Sequence, residues 1–119
     1  MGLRIIIKED HMEYYLRNKS SKIYYNEIIY IESAGNYVKI FTSVKTNIFP
    51  IPSYKLEEKL PEYSFIRIHK SYIVNLSKVV AVNGNSVQVC NLKLPIGKTF
   101  KKYVLHTWKK YQILSDKNE

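Results

Sequence analysis

The chain has 119 residues, 45% of them hydrophobic and 24% charged, which is enough for one domain with a buried core and too apolar for a disordered chain. Its formal net charge of +9 favours an anionic partner over a cationic one. Cys90 is the only cysteine, so no intramolecular disulfide can form, and no apolar run approaches the ~18 residues of a membrane span.

Arg4 to Lys8 reads as a first strand and Met12 to Arg17 as a second, with Asn18-Lys19-Ser20-Ser21 as the turn that follows. Lys22 to Tyr25 is short and extended. Ile28 to Glu32 is an apolar, β-branched run suited to a core strand. Ser33-Ala34-Gly35-Asn36 breaks it, because Gly and Asn tolerate positive φ, and Tyr37 to Thr42 returns as a strand. Asn36 and Tyr37 then stand near a hairpin tip. After a turn at Ser43 to Thr46, Asn47 to Ile51 is a further strand, ended by Pro50 and Pro52. Ser53 is placed to cap a short helix from Tyr54 to Leu60, with Glu57 and Glu58 early and Lys59 late. Pro61 stops it. This helix is expected to pack away from a charged partner.

Phe65 to Ile68 alternates apolar and basic residues and runs into His69-Lys70-Ser71. Tyr72-Ile73-Val74 then takes the chain back into the core. Val79 to Val82 and Ser86 to Cys90 flank Asn83-Gly84-Asn85, a hairpin turn. Cys90 in that strand reads as a small buried hydrophobe. Asn91 turns the chain into Leu92 to Ile96. Gly97 and Lys98 open a C-terminal helix over about 98–114. There Phe100, Val104, Trp108 and Tyr111 recur at helical spacing, with Leu105 beside them. Ser115 to Glu119 is expected to fray.

The charge is unevenly placed. Between Glu62 and Asp116 there is no acidic residue, while Arg67, Lys70, Lys78, Lys93, Lys98, Lys101, Lys102, Lys109 and Lys110 fall in that stretch. Three turns between strands offer donors: Asn36-Tyr37, His69-Lys70-Ser71 and Gly97-Lys98. Such groups suit phosphate and base edges. Each also has a plain structural explanation: Asn36 as a turn residue, His69 as a structural histidine, Lys98 as a solvated charge. His11, His69 and His106 stand far apart without metal-ligand spacing, so no metal is expected. No nucleophile elbow, P-loop or Gly-rich fingerprint is present, so neither an enzyme nor a cofactor is expected. An enzyme using His69 is the third-ranked possibility. The many tyrosines leave open a basic module that binds RNA or protein without duplex sequence preference.

The segment Phe65-Ile66-Arg67-Ile68-His69-Lys70-Ser71-Tyr72-Ile73-Val74-Asn75-Leu76 closely resembles the signature of the LytTR DNA-binding domain. So does Glu27-Ile28-Ile29-Tyr30-Ile31-Glu32-Ser33-Ala34-Gly35-Asn36-Tyr37-Val38 upstream, and Leu94-Pro95-Ile96-Gly97-Lys98 is similar to a third family block. The resemblance covers a core of about 5–103 within a single domain of 1–119. It implies a mainly β fold, an elongated stack of small antiparallel sheets with one short internal helix and a C-terminal helix. It implies a bacterial transcriptional regulator whose loops enter successive major grooves of double-stranded DNA, usually at paired direct repeats in promoters. A homodimer on DNA and a cytoplasmic location follow, with no membrane partner. By position the DNA-binding residues are Asn36, Tyr37 and Lys39, then His69, Lys70 and Ser71, then Lys98, with Lys101 and Lys102 reaching the backbone.

The chain departs from the family pattern in three ways. Gly97 stands where serine is common, and Lys98 where arginine is; lysine lacks arginine's planar fork. The receiver domain usual in such regulators is absent from this chain, which is expected to be a fragment or a complete small protein under other control. The C-terminal helix is longer than the family core requires; it can pack on the domain, pair two protomers or contact a partner.

Overall fold

The computed structural model describes residues 2–116. Eleven strands form three antiparallel sheets, with two α-helices. The first sheet is β1 (Arg4–Ile7), β2 (His11–Leu16) and β3 (Lys19–Tyr24) in sequential order. The central sheet holds β4 (Ile28–Ala34), β5 (Tyr37–Thr42), β6 (Thr46–Phe49), β7 (Phe65–His69) and β8 (Tyr72–Asn75), ordered β6-β5-β4-β8-β7. The third is β9 (Val79–Val82), β10 (Ser86–Val89) and β11 (Leu92–Pro95). Helix α1 (Ser53–Lys59) links β6 to β7, and α2 (Lys101–Asp116) closes the chain after a 3-10 turn at Lys98–Phe100. The molecule measures 42 × 33 × 24 Å, the elongated stack that the resemblance implies.

Strand periodicity explains the layering. Side chains alternate across a strand, so a sheet with apolar residues on both faces must be covered twice. Ile28, Ile31, Val38, Ile40 and Ile73 face Met12, Tyr14 and Ile23 of the first sheet and Leu56 of α1. Ile66, Ile68 and Val74 face the other way, against Val87, Val89 and Leu94 of the third sheet and Val104 of α2. The central sheet therefore separates two cores. Asn75 ties the end of β8 to the start of β4: its buried Nδ2 donates to the carbonyls of Tyr25 (2.9 Å) and Ile28 (2.8 Å), and its Oδ1 accepts from the Ser77 amide (3.0 Å).

Several local expectations change. The β2–β3 turn is Arg17-Asn18, with Arg17 at φ 56°, and Ser20 and Ser21 lie inside β3. Register decides this: Leu16 pairs with Lys19, which leaves only two loop residues. Cys90 is exposed rather than buried; it sits at φ 53° in the β10–β11 turn, beyond the strand. Helix α1 starts at Ser53 itself, after Pro52 with φ −64° at the cap position, so Ser53 makes no cap bond. Its first turn holds no acid, and Glu57 and Glu58 fall in its second half. The C-terminal α-helix begins at Lys101 rather than 98; Phe100 in the 3-10 turn before it and Val104, Trp108 and Tyr111 on α2 meet the core, but Leu105 is 38% exposed on another side. Ser115 and Asp116 continue the helix, and the remainder of the expected frayed end, 117–119, lies outside the described residues.

Candidate nucleic-acid interface

Strand order brings distant loops to one edge. β4 and β8 pair through Tyr30–Val74, Ile31–Ile73 and Glu32–Tyr72. One step further the Ser33 amide donates to the Ser71 carbonyl at 2.9 Å, which sets the β4–β5 hairpin beside the β7–β8 turn. On the other flank the Gly97 amide donates to the Ile68 carbonyl at 2.8 Å. Glycine suits this approach: a Cβ there would lie 3.0 Å from Phe100 Cδ2 and 3.6 Å from the His69 Cα. The turns bearing Asn36-Tyr37, His69-Lys70-Ser71 and Lys98 thus stand in a row, with β4 bonded to the middle turn and Gly97 bonded to β7 just before it.

The predicted residues take different places in that row. Asn36 and Tyr37 are exposed at the hairpin tip, next to Gly35 at φ 68°. Lys39 lies half-buried within β5, in register with Glu32, away from the tip. Lys70 and Lys98 are exposed at their turns. His69 is half-buried, tilted against Tyr72 with ring centroids 5.5 Å apart. Its Nδ1 accepts the Ser71 amide at 3.0 Å, so the neutral ring carries its proton on Nε2. Lys101 is half-buried and its Nζ donates to Asn85 Oδ1 at 3.2 Å, tying α2 to the β9–β10 turn; Lys102 is exposed.

Arg67 was not among the predicted site residues. Its Nη1 donates to the Lys70 carbonyl at 2.7 Å, its Nη2 to Ser53 Oγ at 2.9 Å and its Nε to Glu57 Oε1 at 2.7 Å. Its side chain is 13% exposed. Arg67 is therefore a strut that holds the middle turn against α1. The only sequence signal was a base at an inward-alternating position of β7. Around the row the chemistry is that of an anion-contacting edge: cations on turns, amides and a hydroxyl, with Glu57 neutralised by Arg67. Among the described residues no three metal-ligating side chains converge, and no helix is long and apolar enough to cross a membrane.

Comparison with known proteins agrees with this architecture. The profile of the LytTr DNA-binding domain matches residues 18–109. The CO-responsive transcriptional regulator RcoM of Rhodospirillum rubrum is 37% identical over 54 residues, 45% of this chain and 23% of that protein. The sensory transduction protein LytT of Bacillus cereus is 28% identical over 82 residues, 64% of this chain and 33% of that protein. The chain thus spans no more than about a third of these relatives. A solved LytTr DNA-binding domain from Bacillus cereus superposes with a TM-score of 0.69 at 18% identity, covering 84% of this chain and 97% of that one, which shows the same fold. With the profile spanning most of the sequence, the chain belongs to the LytTr family of DNA-binding domains.

Proposed function

We propose that this domain reads the sequence of double-stranded DNA for a transcriptional regulator by inserting its three aligned turns into successive major grooves. The observation that supports this best is the pair of backbone bonds, Ser33 to Ser71 and Gly97 to Ile68, that fixes three donor-bearing turns along one edge. A reader needs rigid placement, because bidentate contacts to base edges tolerate little positional error.

The roles divide by reach and exposure. Lys70 and Lys98 contact guanine O6 and N7, Asn36 and Tyr37 enter the neighbouring groove, and Ser71 and His69 bind phosphate, His69 through its Nε2–H. Lys101 and Lys102 add backbone contacts; Lys39, being half-buried, contributes charge from behind the tip. The target is a pair of direct repeats in a promoter, engaged by two copies of a regulator that works in the bacterial cytoplasm.

Selection of binding sites from a random duplex library, at near-physiological salt, tests this. Enrichment of a short motif, above all as a spaced repeat, is the expected result. Salt-sensitive binding with no enriched motif would reduce the domain to a general polyanion binder.

A further inference from the structure

Helix α2 leaves its outer side uncovered. Val104 is 1% exposed against the core, whereas Tyr103 is 51% and Leu114 60% exposed. Beside them stand Tyr54 on α1, 59% exposed, and Tyr63, 70% exposed. Two shallow clefts meet here. One is walled by Tyr54, Glu57 and Glu58; the other by Tyr63, His106 and Lys110; Glu62 and Tyr103 line both. The surface is therefore continuous. It is acidic at its α1 end, basic at its α2 end and aromatic along its length. Glu57 is taken up by Arg67, but among the described residues Glu58, Glu62 and Lys110 make no ion pair within the chain.

A contiguous apolar strip on a small domain marks a contact surface. Its charge order selects the occupant. Nucleic acid would be repelled by Glu58 and Glu62, and a uniformly charged protein would meet like charge at one end. A surface negative at one end and positive at the other complements itself after a two-fold rotation.

We propose that two copies of this chain associate through this face, α2 antiparallel to α2. Lys110 of each copy faces Glu58 of the other, and His106 faces Glu62. Tyr103 lies near the axis, and Tyr54, Tyr63 and Leu114 supply the apolar contact. The first cleft reaches Phe65, at the end of β7 away from His69, and none of Asn36, Tyr37, His69, Lys70, Ser71 and Lys98 lines either cleft. A two-fold pair is not the arrangement that adjacent direct repeats impose, so this contact belongs to the protein in solution.

Sedimentation equilibrium of the protein without DNA, from low micromolar to near-millimolar concentration, tests it. A reversible monomer–dimer equilibrium that weakens with added salt is expected. Lys110→Glu alone, and Glu58→Lys alone, should each weaken association about tenfold or more, because like charges then face each other. The double variant Lys110→Glu/Glu58→Lys should restore it, since the reversed charges again match. Both residues line the solvent-facing clefts, and circular dichroism checks that the fold is kept. A monomer at every concentration, or a double variant no better than the singles, would overturn the proposal. Affinity for a single DNA half-site, measured on the same variants, should be unchanged, which separates failure of the dimer from failure of the DNA reading.

Discussion

Arg67 donates from Nη1 to the backbone carbonyl of Lys70 at 2.7 Å, so the turn that carries the most exposed cation of β7–β8 is held by a side chain from its own hairpin. The other two donors of that guanidinium reach Ser53 and Glu57 on α1. A planar fork whose nitrogens reach four acceptors, the His69 carbonyl included, cannot be replaced by an ammonium. Arg67→Lys is therefore expected to keep the fold and weaken cognate DNA binding about tenfold, through a looser Lys70 turn. Paired titrations of cognate and random duplex, with thermal unfolding alongside, check this. Equal losses on both duplexes would assign Arg67 to general charge instead of positioning.

Lys70 and Lys98 make a second test. If they contact guanine edges, Lys70→Ala or Lys98→Ala should cost on the order of 1–3 kcal/mol on the cognate site and relax specificity at one position. Random duplex should change far less. The same loss on both would mean that these lysines touch only phosphate.

Salt dependence separates charge from recognition. The slope of log K against log salt is roughly −0.9 per phosphate neutralised. Lys102, exposed on the first turn of α2, is expected to contribute one such contact, so Lys102→Ala should flatten the slope by about one unit while leaving the preferred sequence unaltered. A salt titration with fluorescent duplex measures it. An unchanged slope would place Lys102 off the DNA.

Asn75 governs stability. It is 3% exposed and donates to the carbonyls of Ile28 in β4 and of Tyr25 in the turn before it. Asn75→Ala strands both acceptors and the Ser77 amide, and should cost about 2–4 kcal/mol. Chemical denaturation provides the number. Asn75→Asp should also destabilise, because a carboxylate cannot donate to carbonyls. A loss below about half a kcal/mol in either variant would show that water replaces these bonds.

Alternation along β2, β5 and β10 told which residues face a core, because a period of two is written directly in Met12-Tyr14, Val38-Ile40 and Val87-Val89. Turn chemistry placed the Gly35-Asn36 and Asn83-Gly84-Asn85 reversals, and helical spacing placed α2, since these signals are local. The three family blocks carried the architecture and pointed to the candidate site residues. Pairing was not legible. Whether Arg17-Asn18 or Asn18 to Ser21 forms the turn depends on which residue of β3 meets Leu16, and the whole sheet decides that. Cys90 looked like the end of a strand until the Val89–Leu92 pairing left it in the turn at positive φ. The bond from Arg67 to Glu57 joins residues ten apart through a reversal that no local pattern specifies. The sequence by itself determined the class of fold, the basic half and the turns that carry donors. Only the tertiary structure decided that those turns share one edge, because hydrogen bonds such as Ser33 to Ser71 arise between segments that meet after the strands have paired.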